Sequence, residues 1–342
     1  MEKMAAVLIG AGMIGESHVR ALSGLRDQIG LAAVVTRRPE GAMYLAEHYA
    51  GERPVFTADL EAVLADPAVR MVIVATPPSV RIDLIAAIAA AGKHVLLEKP
   101  VARNLAEAEE VVKICADAGV SLGMVLQHRA SLPAKAAAEL VAGGTLGALG
   151  HVEIIAQLWR DQSYYDELGR GTYARDGGGV LLTQAIHSID LALSLTSPVS
   201  EVQAMTCATP LHQLEAEDMA VVGLRFACGA AGSLVASTAS FPGADEMVKL
   251  HFSHGSLAIG RRRLDIHWRD GRHEVVGYGI GDAGPSPENY IWHQGVIADF
   301  AEAITQGSAP MATGEAALAA HRLIDAIERS SRSGAKVMVG AA

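Results

Sequence analysis

The chain has 342 residues, half of them apolar and 19% charged, with a formal net charge of −10. That length suits two domains better than one core, and the acidic balance with dispersed basic residues excludes nucleic acid as a partner. The mean hydropathy of +0.25 calls for a membrane check: Gly, Ser, Thr and Pro break up the charge-free stretch Phe226–Ala244, and Leu84–Gly92 falls far short of the roughly 20 residues of a spanning helix.

Strand-like runs at Ala5–Ile9, Leu31–Val35, Met71–Ala75, His94–Leu97 and Ser121–Leu126 alternate with helical stretches at Ile14–Leu25, Val80–Ala91 and Leu105–Ala118. This alternation predicts βαβ units and a doubly wound parallel sheet, a Rossmann-type domain over residues 1–127. Asn104 before Leu105, with Glu107 three residues on, marks a helix start, and Gly119 marks its stop. One long helix is expected over Gly178–Leu195. Strands follow at Val199–Thr209, Asp218–Phe226, Gly232–Ser240, Met247–Phe252, Ser256–Ile259 and Leu264–Trp268, with glycine turns between them. Residues 128–342 therefore read as an α+β domain built on a large, mostly antiparallel open-faced sheet. Gly281–Pro287 reads as a mobile loop, and helices over Tyr290–Gln306 and Thr313–Ser331 close the chain, with room to pack back on the first domain.

Small aliphatic residues, 35 Gly and only 4% aromatics fit helices packed on a sheet buried on both faces. Cys115, Cys207 and Cys228 form no CxxC pair, so neither disulfides nor a zinc ribbon are expected. The start, MEKMAAVLIGAG, runs almost directly into a strand with no basic segment before a cleavable apolar one, so the expected location is the cytoplasm.

Gly10-Ala11-Gly12-Met13-Ile14-Gly15 lies between the first strand and the first helix. In that context Gly10 permits the turn, Gly12 admits a pyrophosphate, Gly15 lets the helix pack close, and the helix N-terminus attracts the anion. After the second strand stand Thr36-Arg37-Arg38, with no acid before Glu40. Two guanidiniums and a hydroxyl there favour the 2′-phosphate of NADP(H), with NAD(H) possible.

Glu98-Lys99-Pro100 ends the strand at His94–Leu97, and Gly177-Gly178-Gly179 precedes a helix carrying His187 and Asp190. With the glycine turn, these segments resemble the glucose–fructose oxidoreductase/inositol dehydrogenase/MocA family along essentially the whole chain. The resemblance implies an NAD(P)-dependent oxidoreductase acting on CH–OH groups, with Lys99 and His187 at the reacting carbon. It implies cofactor contacts along Gly10–Gly15, Thr36–Arg38, Thr76-Pro77, Glu98-Lys99 and Gln127, and substrate contacts from Lys99, Arg129, Thr183, Gln184 and His187. A general acid or base at the oxygen is what hydride exchange with a secondary alcohol requires, and His and a desolvated Lys can both serve. Two positions depart from the family pattern. Thr183 stands where an Asp is common, so Thr183 or Asp190 is left to replace it, and Arg81 stands where a His is common and inherits no role.

Trp159-Arg160 and Tyr164-Tyr165, with Tyr173, concentrate one Trp and three Tyr in a chain poor in aromatics. This segment looks like the nucleotide-sugar 3-dehydrogenase branch, and aromatic faces beside polar side chains suit a pyranose ring. The expected substrate is a sugar, sugar acid, inositol or nucleotide-sugar. The alternatives are a reductase of a non-sugar carbonyl and a non-catalytic nicotinamide sensor of the same fold. His251 and His254 face opposite ways in a strand, and no metal site is expected. Arg261-Arg262-Arg263 reads as a solvated edge. The resemblance also implies a homodimer or homotetramer formed through the open sheet.

Overall fold

The computed structural model describes residues 3–277 and 290–340; the predicted loop at Gly281–Pro287 lies outside them. In the amino-terminal part, strands β1 (Met4–Ile9), β2 (Ile29–Val35), β3 (Val55–Thr57), β4 (Val69–Val74), β5 (His94–Glu98) and β6 (Leu122–Val125) alternate with helices α1 (Gly15–Gly24), α2 (Pro39–Ala42), α3 (Leu60–Ala65), α4 (Arg81–Ala90) and α5 (Leu105–Asp117). Next come α6 (Leu132–Ala142), β7 (Leu149–Gln157), α7 (Gln162–Tyr165) and α8 (Ile186–Leu195). Strands β8 (Val199–Cys207), β9 (Met219–Phe226), β10 (Ala231–Ser237), β11 (Met247–Phe252), β12 (Gly255–Gly260), β13 (Arg263–Trp268) and β14 (His273–Gly277) follow. Helices α9 (Tyr290–Gln306) and α10 (Gly314–Ser333) and the short β15 (Val337–Met338) complete the order.

The chain divides into two units. The first takes the described residues of Met1–Ala102, Ala106–Gln127 and Gly284–Ala317; the second takes Arg103–Leu105, His128–Ala283 and Leu318–Ala342. In the first unit the strands form one parallel sheet in the order β3-β2-β1-β4-β5-β6. Its central strands are continuous apolar runs because both faces are covered: Leu8, Ile73 and Leu96 are fully buried. The strand order reverses between β1 and β4, so their carboxyl ends open the crevice where such sheets take ligands.

The second unit holds a nine-stranded sheet, β14-β13-β12-β11-β7-β10-β9-β8-β15, in which β7 and β10 run parallel and every other pair antiparallel. One face is core. Val152, Ile154 and Ala156 of β7 pack with Val180, Ile186 and Ile189 and with Leu323 and Ile327 of α10. The other face carries a register row, Met247–Ile155–Val235–Val221–Met205. Met205 and Val221 in that row are 59% and 40% exposed. Among the described residues no helix is long and apolar enough to cross a membrane.

Besides short elements the sequence did not mark (β3, α2, α3, β14 and β15), two differences from the sequence expectation bear on the site. The helix expected from Gly178 starts later: Gly177–Gly179 form a bend, Leu181–Ala185 a π-turn, and α8 begins at Ile186. The cause is local, since the Gly179 N–H is taken by the Glu217 carboxylate and the Thr183 hydroxyl donates to the Gly179 carbonyl at 2.6 Å. The segment between Gln127 and Gly177, left without elements by the sequence, contains α6 and the central strand β7. Ser131 caps α6 by accepting from the Ala134 N–H.

Candidate active site

Gly10 closes the turn after β1 with φ 102°, and its N–H donates to the Val35 carbonyl at 3.0 Å. A Cβ at Gly10 would lie 2.7 Å from the Ala75 carbonyl oxygen, so only glycine lets β1 and the end of β4 approach this closely. A Cβ at Gly12 would meet nothing within 4 Å, which leaves open space over the amino end of α1. Ile14 is the N-cap of α1 with no side-chain cap, so the positive end of the helix dipole faces that space, while the Gly15 N–H donates to the Gly12 carbonyl at 2.9 Å. Met13 beside it is 80% exposed. Two buried polar atoms of the same unit, Thr76 Oγ1 and Gln127 Oε1, have no hydrogen-bond partner among the described residues. Thr36, Arg37 and Arg38 line a recess of about 440 Å³. This set fits a dinucleotide: a Cβ-free cradle at an uncapped helix end for the pyrophosphate, and unsatisfied polar atoms for the remainder.

Lys99 follows β5 through a buried acid. The Glu98 carboxylate accepts from His18 Nε2 at 2.8 Å and from the Lys99 N–H at 3.2 Å, and His293 Nε2 lies 3.5 Å away. Burial alone would raise the Glu98 carboxyl, but the hydrogen bonds and charges of the two histidines outweigh it and hold it well below the carboxylate range. Burial pushes His18 down in turn, against the pull of the Glu98 carboxylate. Glu98 thus spends its carboxylate inside the fold, on the Lys99 main chain and on α1 and α9. His18 and His293 escaped the sequence reading. Their side chains mark no motif, and the pairing spans 80 residues for His18 alone.

In the second unit Gly177 has φ 87°, and a Cβ there would collide with the Arg103 backbone. The Glu217 carboxylate accepts from the N–H groups of Gly179 and Leu181, both at 3.0 Å, and so fixes the turn ahead of His187. Glu217, like His18, was missed, because its partners are main-chain amides that leave no side-chain signature. His187 is 8% exposed and stacks on His128, ring centroids 4.7 Å apart. Asp190 is buried and holds Arg129 in a bidentate pair at 2.6 and 2.7 Å. Burial pushes the Asp190 carboxyl up despite those bonds. Thr183 donates to Gly179 and to Gln184, whose Nε2 donates to Tyr164 Oη at 3.0 Å.

The aromatic segment is gathered on this chain of bonds. Tyr164 and Tyr165 meet edge to face at 5.1 Å, and Arg160 and Arg170 lie over the Tyr164 ring at 5.4 and 4.2 Å. Trp159 contacts His212 and stands perpendicular to Phe241, which is 77% exposed. His212 is held by Asp218 at 2.7 Å and by the Arg160 carbonyl at 2.8 Å. Trp159, Arg160, Tyr164, Tyr165 and Gln184 therefore form one patch, reached through Thr183 from the glycine turn. Arg129 is tied to Asp190, one helical turn beyond His187.

The residues 4–125 match the model of the oxidoreductase family with an NAD-binding Rossmann fold, and residues 134–258 match the GFO/IDH/MocA C-terminal domain. The myo-inositol 2-dehydrogenase of Thermotoga maritima is 30% identical over 254 residues, 73% of each chain. The chain belongs to the GFO/IDH/MocA oxidoreductase family. Another member, the 1,5-anhydro-D-fructose reductase of Ensifer adhaerens, is 30% identical over 260 residues, 74% of each chain. The WlbA dehydrogenase of Bordetella pertussis, solved with NADH and UDP-GlcNAcA, superposes on this GFO/IDH/MocA chain with a TM-score of 0.84 at 27% identity, covering all of both.

Among the described residues, three groups bring histidines and carboxylates within 4.8 Å: His18/Glu98/His293, His151/Glu153/His251 and Asp265/His267/His273. His254, weighed with His251 in the sequence, belongs to none of them. A recess of about 610 Å³ beside Trp268 and His254 touches no predicted site residue.

Proposed function

We propose that this chain is an NAD(P)-dependent dehydrogenase or reductase of a secondary alcohol or ketone on a sugar, sugar acid, inositol or nucleotide-sugar. The observation that carries the proposal is the Gly10–Gly15 cradle at the β1/β4 crevice with Lys99 at the end of the adjoining β5. Relatives that act on inositol and anhydrofructose support the substrate class. The first unit holds the dinucleotide through the Gly12–Ile14 turn, Thr76, Gln127 and the Thr36–Arg38 recess. When bound, the nicotinamide supplies or accepts the hydride. Lys99 binds and polarises the reacting oxygen, and His187 exchanges its proton. The Trp159–Tyr165 patch stacks on the ring of the substrate, with Arg160 and Arg129 for its anionic groups, as a nucleotide-sugar requires.

Arg37 and Arg38 favour NADP(H) over NAD(H), a preference that sets this chain apart from WlbA, whose structure holds NADH. The apolar row Met205–Val221–Val235–Ile155–Met247 supports self-association through the open sheet face as a dimer or tetramer. The free thiols of Cys207 and Cys228, both exposed, suit a reducing cytoplasm.

The test is absorbance at 340 nm with a panel of sugars, inositols, nucleotide-sugars and non-sugar ketones. At least one carbohydrate should turn over, and Lys99→Ala and His187→Ala should each lose about 10² in turnover with cofactor affinity unchanged. Near-native rates in both variants would remove the residue assignment. Cofactor binding without turnover on any compound would leave a sensor in its place.

A further inference from the structure

Arg81 begins α4, and its side chain is 2% exposed. Its hydrogen bonds run to main-chain carbonyls. Nε and Nη2 donate to Thr76 at 3.1 and 2.7 Å, while Nη1 donates to Glu98 at 2.6 Å, to Pro100, and to Val101 at 3.4 Å. One planar cation therefore bridges the loop after β4 and the loop after β5. Lys99 lies between the carbonyls it grips, and the Lys99 N–H is held in turn by the Glu98 carboxylate at 3.2 Å. Taking a guanidinium out of water is costly, and burial pulls Arg81 down to about 10. An apolar residue would fill this helix start without that cost, so what the charge contributes is the fixing of the two loops.

We propose that Arg81 is the positioning residue for Lys99, locking the lysine's main chain to the Thr76 loop so that the group that polarises the reacting oxygen and the loop that meets the cofactor share one anchor. The proposal rests on the assignment of Lys99 made above. A lysine at this position offers three tetrahedral donors on a single nitrogen and cannot span the four carbonyls that the planar fork reaches.

Arg81→Lys and Arg81→Gln, in the full chain, test it with two readouts. The first is competitive acetic anhydride labelling of Lys99, with Lys113, 72% exposed, as internal reference, with and without NADPH. Arg81→Lys should change the Lys99 labelling rate by about threefold or more, leave Lys113 unchanged, and weaken protection by NADPH. The second is a double-variant cycle on the compound that turns over in the panel. Arg81→Lys should lower kcat about tenfold with little change in KM, and should cost nothing further in the Lys99→Ala background. Wild-type labelling of Lys99 in both Arg81 variants would overturn the proposal. So would losses that multiply in the double variant, the mark of general destabilisation. If Lys99→Ala alone keeps native turnover, the catalytic assignment of Lys99 fails, and the labelling arm still decides whether Arg81 fixes that lysine.

Discussion

Replacing Glu328 by glutamine should stabilise the protein at pH 8 and do almost nothing at pH 4. Glu328 lies on α10, 26% exposed, with Arg332 Nη1 at 3.7 Å. Burial first, and then the neighbouring Glu217 carboxylate, push its carboxyl from 4.5 up to about 7, with Arg332 only partly offsetting them. The folded state therefore holds a proton between pH 4.5 and 7 that the unfolded chain has released. The stability that proton contributes is fully present below pH 4.5 and is lost as pH rises through 7. The shift of 2.5 (7 minus 4.5) corresponds, at about 1.36 kcal/mol per unit, to roughly 3 kcal/mol at most; partial exposure reduces it to about 1–3 kcal/mol. Glutamine keeps the shape of the protonated acid without its titration. Calorimetric Tm values of both proteins from pH 4 to 8 should coincide at the acid end and separate by a few degrees at pH 8, the variant higher. A variant that melts lower at pH 8, or a gap independent of pH, would refute the reasoning.

Arg37→Ala/Arg38→Ala should raise the NADPH dissociation constant about tenfold or more and leave that for NADH nearly unchanged, as read by fluorescence titration; equal effects on both would remove the NADP(H) preference. Val221→Lys places a charge in the exposed apolar row and should lower the mass measured by light scattering, whereas an unchanged mass would move the subunit contact elsewhere. Gly177→Ala adds a Cβ against the Arg103 backbone at φ 87° and should cost more than about 1 kcal/mol, seen as a lower Tm. Asp190→Asn removes the charge that pairs with Arg129 and should raise KM for an anionic substrate as Arg129 is released, read by steady-state kinetics; an unchanged KM would remove Arg129 from the substrate site.

The sheet of the first unit was legible because its strands are buried on both faces and read as unbroken apolar runs. Strand β7 was not. His151 and Glu153 on its open face alternate with Val152 and Ile154 on the core face, but the adjacent Ile154 and Ile155 blur the period. The glycine cradle, Lys99 and His187 were legible as motifs, since each needs a particular residue type at a particular turn. What holds them in place was not legible. Arg81 and Glu217 bond to main-chain carbonyls and amides that every residue carries, so nothing in the sequence names their partners. His18 and His293 reach Glu98 only because α1 and α9 bring them there. The helix start was misplaced for the same reason: Gly178 and Gly179 are free to continue a helix, and a glutamate 38 residues away from Gly179 decides that they do not.

Arg81 and Glu217 answer one problem with opposite charges. A catalytic side chain on a loop wanders with the loop, and the cheapest fix, neutral hydrogen bonds to neighbouring backbone, is weak and easily exchanged for water. At Lys99 the loop's carbonyls are gathered by a buried cation. At the turn before His187 the amides are gathered by a buried anion, and burial pushes its carboxyl up despite those bonds. Each device costs desolvation and returns rigidity at one of the two positions assigned to the reacting oxygen, because a buried charge bonded to main chain cannot let go without leaving itself unpaired. The aromatic patch is built otherwise: Phe241 is 77% exposed and stands perpendicular to Trp159. Rigid anchors where the chemistry is common to a reaction, and exposed rings where the substrate must be selected, are the division expected of an enzyme whose substrate changes more readily than its mechanism.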